Sequence, residues 1–272
     1  MFFQVRNMKY DFVIVVLVYR NTKDLEDFFV HQNVPNTKVI VVNSFFDEET
    51  ECQFKTIAND NNADFISVPN KGYGYGNNRG CEFALKKYDF KYLIVSNADI
   101  EIVDFNIAML NGCDSKIVAP RLVNKKGHNQ NPANPYASSK LYLRFMKFAF
   151  EHNNRRFLYV FAAVSRFRKL CFNLIYFFFK YNTIFAPHGA FTIISHSALL
   201  KLYPIYNEDI FLFCEEPHLG NLAHANQISI VYKPTIKIFH KEDGSMNVAS
   251  INIFEKTRES FLKFYSYWYE KK

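Results

Sequence analysis

Apolar residues recur in the first hundred positions as four short runs separated by stretches with helical periodicity. Runs rich in Val and Ile, bounded by amphipathic stretches such as 21–32 and 77–89, are typical of buried parallel strands in successive βαβ units. The pattern predicts an α/β fold with a Rossmann-like, mostly parallel sheet flanked by helices. The four predicted strands cover 11–19, 38–44, 63–70 and 91–100.

The hydrophobic pattern is less regular in the second half of the chain. This half follows a polar segment rich in Asn and Pro, 123–139. A last helix is predicted from an apolar stripe of Ile251, Phe254, Phe261, Tyr265 and Trp268. The other predicted elements are helices over 104–113 and 196–203, strands over 115–122 and 184–195, and two short strands within 228–240 that Pro234 divides.

Positive charge is concentrated in one segment. The chain of 272 residues has a formal net charge of +7, and residues 140–180 hold nine basic residues and a single acid, Glu151. The same segment is crowded with Phe, Tyr and Leu, and aromatic residues make up 18% of the chain, more than a core requires. We expect residues 137–182 to form a basic aromatic helical insert.

This insert has no uncharged run of about 18 residues, so we do not expect it to cross a membrane. Its mixture of cations and aromatic residues favours helices that lie in an anionic lipid interface. Packing on the core, or on a second subunit in a homo-oligomer, is the alternative. Nucleic acid is disfavoured as a partner, because the rest of the chain carries no basic excess and no known nucleic-acid-binding motif.

Cysteine usage and the N-terminus bear on the compartment. Five cysteines without a C-x-x-C pair argue against a disulfide framework or a zinc site and favour a reducing cytosol. The apolar run that begins near Asp11 is too short for a membrane span and enters the α/β pattern directly. It is therefore interpreted as a first strand rather than a signal peptide.

The segment from Asn70 to Gly80 holds four of the chain's nine glycines. It does not fit the dinucleotide fingerprint G-x-G-x-x-G, because Asn77 and Arg79 stand where the third glycine is required, and no Walker frame fits. It lies between a strand and a helix, at the edge where open parallel sheets bind ligands. This position favours a ligand loop over a flexible turn.

The fourth apolar run ends in "SNAD", which puts the Asp99 carboxylate at the end of the fourth predicted strand. A carboxylate there is well placed to hold a divalent cation. Asn97 and Asp99 could equally cap a helix or form an Asx turn. The residues alone leave both interpretations open.

The order of these motifs resembles the family 2 inverting glycosyltransferases, rhamnosyltransferase-like enzymes with a GT-A fold that use nucleotide-diphospho-sugars. The segment "PNKGYGYGNNRG" is similar to the family's nucleotide loop, and "SNAD" to its D-x-D or N-x-D motif. Three later segments, "HGAFTIISHSAL", "YNEDIFLFCEEPHLGNLA" and "YKPTIKIFHKEDGS", are similar to the motifs of its second half. The likeness runs from about Tyr10 to Trp268, with the insert as a break.

The resemblance implies a site with a divalent metal, Mn²⁺ or Mg²⁺, held by Asp99 and His240. It implies that Glu216 is the general base, with Glu215 beside it, and adjacent carboxylates raise one another's pKa. A solvated helix start, with Pro217 in its first turn, is the alternative for these two acids. The residues implied to bind the nucleotide-sugar are Tyr19, Asn43, Asn70, Gly72, Tyr73, Gly76, Asn78, Asn97 and Ala98.

Four positions depart from the family pattern. Val42 stands in place of the acid that recognises the nucleobase, so Asn43 or Asp47 would make that contact. Asn97 replaces the first aspartate of D-x-D. The remaining two departures are Glu216, one methylene longer than the usual aspartate, and His218 in place of the next acid.

The resemblance implies inverting transfer of a sugar from a UDP- or dTDP-sugar to a sugar hydroxyl of a bacterial surface polysaccharide. The acceptor would be a glycan or lipid-linked saccharide, and the protein cytoplasmic and peripheral on the inner face of the cell membrane. One compact GT-A domain is expected, with a nucleotide-sugar-binding half at 9–136, the insert at 137–182, and an acceptor-binding half with the last helix at 183–272.

Two other functions remain open. An inactive or weak homologue could act as a membrane-associated scaffold, which metal-dependent release of nucleoside diphosphate would exclude. A sugar-nucleotide pyrophosphorylase requires a G-x-G-T-R-x-x-P loop after the first strand, and "VYRNTKD" lacks it.

Overall fold

The computed structural model describes residues 9–242 and 252–270. Its strands are β1 (Lys9–Val18), β2 (Thr37–Ser44), β3 (Asp64–Val68), β4 (Asp89–Asn97), β5 (Ile100–Asp104), β6 (Ile117–Asn124), β7 (Thr183–Ile184), β8 (Phe191–Ser195) and β9 (Ile230–His240). Its helices are α1 (Thr22–His31), α2 (Glu48–Asp60), α3 (Tyr73–Lys87), α4 (Lys140–Glu151), α5 (Arg156–Phe179), α6 (His196–Leu202), α7 (Glu215–Ala225) and α8 (Ile253–Tyr265). A 3₁₀ turn covers Ile107–Leu110, and a π-helical turn, Ser266–Glu270, continues α8.

Within these residues the strands form one sheet in the order β3-β2-β1-β4-β8-β6-β9-β5, and β7 pairs with β9. The pairs among β3, β2, β1 and β4 are parallel. β8 is antiparallel to both β4 and β6, and β9 is parallel to β6. Six strands therefore share one direction, which confirms the predicted α/β class with a mostly parallel sheet.

Apolar side chains fill both faces of the sheet. One face packs on α1 and α2 through Phe28 and Phe54. The other packs on α3, α6 and α7, and α5 adds Phe172 to this layer. A smaller cluster joins α4 to α8 through Phe150 and Phe261.

The glycine segment differs from its predicted loop, because α3 already begins at Tyr73. Its glycines are in the helix where a neighbour leaves no room for a side chain. A Cβ on Gly74 would lie 2.8 Å from the Cβ of Tyr206. A Cβ on Gly76 or Gly80 would overlap side chains of β1. Glycine here permits the close approach of helix and sheet.

Three other elements in the structure differ from those predicted from the sequence. The predicted helix over 104–113 is only a 3₁₀ turn at Ile107–Leu110, and β5 before it was not predicted. Residues 184–195 are divided into β7 and β8 by 185–190. Pro234 does not divide β9, because the β6–β9 register shifts next to it and no ladder hydrogen bond is required of its nitrogen.

The predicted basic insert forms α4 and α5, and Arg258 of α8 donates to the carbonyl of Phe150 at 2.7 Å. No helix in 9–242 or 252–270 is long and apolar enough to cross a membrane. The end of the last motif segment, 243–245, and Ile251 of the predicted last helix lie outside the described residues.

Candidate active site

A cavity of 920 Å³ opens at the carboxyl end of the parallel strands. The residues at or just after the ends of β1, β2, β4 and β9 line it: Tyr19, Ser44, Asn97 and His240. The start of α7 and the loop before β8 also line it. In open parallel sheets this edge is the usual place for a ligand.

Gly72 positions the first turn of α3 against the second half of the chain. Its φ of +109° is one that L side chains rarely adopt, and a Cβ would overlap the carbonyl oxygen of Phe211. That same oxygen accepts a hydrogen bond from the Tyr73 nitrogen at 2.8 Å. The Tyr73 hydroxyl then donates to the carbonyl of Gly189 at 2.8 Å. The start of α3 is thus joined to two loops that line the cavity.

Glu215 and Glu216 open α7, and both line the cavity. The two residues before them, Phe213 and Cys214, have φ of 72° and 67°. Left-handed backbone costs about 1–2 kcal/mol for each such residue, and strain of this kind concentrates at functional sites. The turn aims two adjacent carboxyls into the cavity.

Burial controls the protonation of this pair. It raises the pKa of Glu215 to about 8, and the neighbouring Glu216 adds to the effect. Burial also raises the pKa of Glu216, but the Gly189 N–H, 3.4 Å from its Oε1, and the charge of Lys169 oppose this rise. Negative charge is therefore better stabilised on Glu216, and the proton on Glu215.

Asp99 and His240 face each other across the end of the sheet, and both are buried. Asp99 Oδ2 lies 3.3 Å from His240 Nε2. On the other side of the ring, His240 Nδ1 is 2.7 Å from Gln130 Oε1. Gln130 Nε2 in turn donates to Glu242 Oε1 at 2.7 Å. Because the Glu242 carboxylate requires a donor, the Gln130 oxygen faces the ring and the imidazole proton is on Nδ1.

These two groups fit a divalent cation that takes its other ligands from a bound molecule. Because Nδ1 faces Gln130, Nε2 is the ring nitrogen that lies beside Asp99 Oδ2, and these two atoms are placed to bind one cation. Their separation is near the ~3 Å edge of an octahedron with bonds of about 2.1 Å. Within the described residues no cluster of three or more His, Cys, Asp or Glu could hold a metal. A cation here would depend on further oxygen ligands, such as those of a diphosphate.

The basic insert contributes Lys169, which the sequence did not single out for the site. Its Nζ donates to the backbone carbonyl of Gln130 at 3.2 Å. Burial lowers the pKa of Lys169, and the charge of Glu216 partly offsets this. His188 lies nearby, with its ring 5.8 Å from that of His240. Burial and the charges of His240 and Lys169 lower its pKa to about 3, so His188 is neutral.

Tyr19 and Arg20 of the cavity lining form an aromatic and cationic rim together with Phe46. Arg20 lies 3.9 Å above the Phe46 ring and 5.0 Å above the Tyr19 ring, and its buried Nε has no hydrogen-bond partner. Asp47 does not line the cavity, because its carboxylate caps α2 and accepts from the Thr50 nitrogen at 2.8 Å. Ser44 is the residue of this loop that does.

Three residues expected to bind the nucleotide-sugar lie behind the cavity wall. Asn43 is fully buried and bonds Ser67, Gly76 packs on Leu17, and Asn78 exchanges hydrogen bonds with Tyr206. They support the wall and do not face the space within it. The expected residues that do line it are Tyr19, Asn70, Gly72, Tyr73, Asn97, Ala98, Asp99, Glu215, Glu216 and His240.

His218 is directed away from the cavity. The Trp268 indole donates to its Nδ1 at 3.0 Å, and burial lowers its pKa to about 4. Sequence analysis missed several of the lining residues. Phe211 and Glu242 lie within quoted motif segments but were not singled out, and four others are Arg20, Asp24, Gln130 and Lys256.

The solved structures that are similar to this chain include glycosyltransferases. The chain is similar to S. aureus TarS 1-349 in complex with UDP-GlcNAc, with a TM-score of 0.52 and 16% identity over 89% of this chain and 62% of that chain. It is similar to GalNAc-T7 with UDP, GalNAc and Mn²⁺, with a TM-score of 0.54 and 10% identity over 87% of this chain and 44% of that chain. No protein-family model and no curated protein sequence matches the chain.

A third similar structure is the mannosyltransferase PcManGT from Pyrobaculum calidifontis in complex with GDP-Man and Mn²⁺. Its TM-score is 0.50, with 12% identity over 88% of this chain and 60% of that chain. The chain thus spans less than two thirds of the length of each of these three structures. Likeness at such identity concerns the fold, and the fold is of the GT-A type.

Proposed function

We propose that the protein is an inverting glycosyltransferase of the family 2 type, acting on a UDP- or dTDP-sugar. The observation that carries the proposal is a shared location: Glu216, Asp99 and His240 line one cavity at the carboxyl edge of a GT-A sheet. Inverting transfer requires a proton acceptor, charge neutralisation at the leaving diphosphate and a donor held in line. This cavity contains groups suited to each requirement.

Glu216 is the proposed general base. As the acceptor hydroxyl attacks the anomeric carbon, its oxygen forms the new glycosidic bond and its proton passes to the Glu216 carboxylate. The bond from the anomeric carbon to the diphosphate oxygen breaks, and the nucleoside diphosphate leaves with that electron pair. A single displacement inverts the configuration. Gly189 N–H and Lys169 hold negative charge on Glu216 before the proton arrives.

Asp99 and His240 are the proposed ligands of Mn²⁺ or Mg²⁺. When bound, the cation would neutralise charge on the donor diphosphate. Gln130 would fix the imidazole tautomer that presents Nε2 to the cation. The aromatic and cationic rim of Tyr19, Arg20 and Phe46 would hold the nucleoside end. The acceptor would be a hydroxyl of a glycan or lipid-linked saccharide.

The test is release of nucleoside diphosphate from UDP- and dTDP-sugars with Mn²⁺, Mg²⁺ or chelator. The wild type should release nucleoside diphosphate only with the metal, and Asp99→Ala should abolish this metal-dependent release. Glu216→Gln should lower the rate by roughly 10²–10⁴-fold, the usual contribution of a general base. Glu49→Gln, an exposed glutamate of α2, is the control and should match the wild type.

Full release in both Asp99→Ala and Glu216→Gln would refute the assigned roles. Folded wild-type protein that binds UDP with metal but releases no diphosphate from any donor would support the scaffold alternative.

A further inference from the structure

We propose that the outer surface of α4 and α5 docks on an anionic phospholipid bilayer. The evidence begins with the outer stripe of α5, defined as Val160, Phe167, Leu170, Leu174 and Phe177. These side chains are between 48% and 67% exposed. They recur at intervals of seven, three, four and three residues, which places them on one side of a helix about 36 Å long.

The opposite side of α5 is already occupied by the protein. Phe161 and Phe172 are buried there. Arg168 donates to the carbonyls of Tyr136 and Ala137, and Lys169 to that of Gln130. The outer stripe therefore cannot be the core-facing side of the helix. A helix that is apolar on its inner and outer sides needs a second apolar environment.

α4 widens this apolar surface. Leu141 and Phe148 of α4 are also exposed, and Phe145 between them packs on Phe157 of α5 with ring centres 4.7 Å apart. At the other end, Phe178 and Phe179, the last residues of α5, are exposed, and Tyr181 just after the helix is exposed as well. The surface is thus two helices wide at one end and rich in aromatic side chains at the other.

Exposed cations surround these apolar side chains. The segment 140–180 holds nine basic residues, and its single acid, Glu151, pairs with Lys147. Six of the basic residues are exposed, and none of the six makes an ion pair within the described part of the chain. They are Lys140, Arg144, Arg155, Arg156, Arg166 and Lys180.

The charge identifies the occupant. A second copy of the chain would bring the same six cations against these six, with no acids to match them. A nucleic acid would satisfy the cations but leave the outer stripe in water. An anionic bilayer accepts aromatic and aliphatic side chains at its interface and attracts the cations through its headgroups. It is the occupant that matches both features.

Helix α5 lies between this surface and the cavity, and it contacts the cavity wall. Lys169, on the side opposite the outer stripe, contacts Gln130, which lines the cavity. The bilayer would therefore lie about one helix diameter, roughly 10 Å, from that wall of the cavity. If the proposed function holds, such a distance favours an acceptor carried on a membrane lipid. Docking itself does not depend on that function.

The test is flotation of the full chain with vesicles of phosphatidylcholine alone or mixed in equal parts with phosphatidylglycerol. The protein should float with the mixed vesicles, float much less with phosphatidylcholine alone, and be released in part by salt. Arg166→Glu should weaken binding about tenfold or more, because each cation near such a surface contributes about fivefold. Lys55→Glu, a charge reversal on α2, should not.

The apolar contribution has a matched pair of variants. Leu174 and Leu200 are similarly exposed, at 52% and 55%, but Leu200 lies on α6 outside this surface. Leu174→Ser, and more strongly Phe167→Ser with Leu174→Ser, should reduce flotation, whereas Leu200→Ser should not. Glu216→Gln should float like the wild type, which separates docking from catalysis.

Equal flotation with both vesicle types would overturn the proposal, as would equal loss from Leu174→Ser and Leu200→Ser. Light scattering after size exclusion provides a further check. A dimer that dissociates in Leu174→Ser would assign the surface to self-association instead.

Discussion

At the scale of single residues, the environment of two adjacent carboxyls decides which one carries charge. Glu216 has the Gly189 N–H and Lys169 nearby, whereas Glu215 Oε1 is buried without a hydrogen-bond partner. Sequence resemblance pointed to Glu216 as the base. The division of roles within the pair could not be predicted, because Lys169 comes from the insert and Gly189 from another loop.

The raised pKa of Glu215 predicts a pH-dependent cost in stability. The folded state keeps this proton up to about pH 8, whereas the unfolded chain releases it near 4.5. Stability due to this group is full below 4.5 and is lost as pH rises toward 8, at about 1.4 kcal/mol per pH unit for one proton. Glu215→Gln should therefore raise the free energy of unfolding more at about pH 8 than at about pH 5.

Denaturant unfolding at the two pH values measures this difference. Glu49→Gln is the control, because Glu49 is exposed at the start of α2 and should change stability equally at both. A Glu215→Gln effect that is the same at both pH values would contradict the assigned proton.

Gln130 is predicted to position the His240 ring. Gln130→Leu removes the acceptor for Nδ1 but keeps the backbone carbonyl that Lys169 contacts. The affinity for Mn²⁺ in the presence of UDP should fall about 10–100-fold, as for other residues that orient metal ligands. Affinity for UDP without metal should be unchanged, which a general loss of structure would not produce.

Gln53→Leu, at an exposed position of α2, is the matched control. Unchanged Mn²⁺ affinity in Gln130→Leu would show that His240 does not need this partner. No sequence signal pointed to Gln130, which lies in a polar loop 110 positions from His240.

At the scale of elements, the strands were predictable and the glycine helix was not. Val- and Ile-rich runs predicted β1, β2 and β4 because these strands are buried on both faces, whereas β3 is a partly exposed edge strand. The glycines suggested a loop because glycine usually marks turns. Here Gly76 and Gly80 lie within α3, and these positions require glycine because side chains of β1 leave no room for a Cβ. That reason is tertiary and cannot be read from local sequence.

Gly72 offers a test of this packing. Gly72→Ala combines a disfavoured φ, which costs about 1–2 kcal/mol, with overlap against Phe211, and overpacking typically costs a further 1–3 kcal/mol or so. Gly127→Ala has a φ of +75° but nothing within 4 Å, so only the first cost applies. Gly72→Ala should lower the free energy of unfolding more than Gly127→Ala.

The two variants should also differ in nucleotide binding. Gly72 lines the cavity and Gly127 does not, so only Gly72→Ala should weaken UDP binding in thermal-shift titrations. Equal losses in stability and binding would mean that the contact with Phe211 does not hold the wall.

At the scale of the whole molecule, the cavity is assembled from segments far apart in the chain, from Leu17 of β1 to Lys256 of α8. Motifs located Asp99, Glu216 and His240, each at or beside the end of a recognisable element. The polar loop after β6 and the insert carried no motif, so Gln130 and Lys169 emerged only from the fold. Asn78 shows the converse, since its motif position suggested a ligand contact but it bonds Tyr206 and Glu208 instead.

In the proposed site, one cavity joins a nucleoside diphosphate to a cation at Asp99 and His240. Calorimetric titration of UDP and dTDP, with and without Mn²⁺, measures whether the two bind together. For at least one nucleotide, Mn²⁺ should tighten binding by tenfold or more, about 1.4 kcal/mol, and Asp99→Asn should abolish that gain while leaving metal-free binding intact. Nucleotide affinity that is indifferent to both Mn²⁺ and Asp99 would contradict the account.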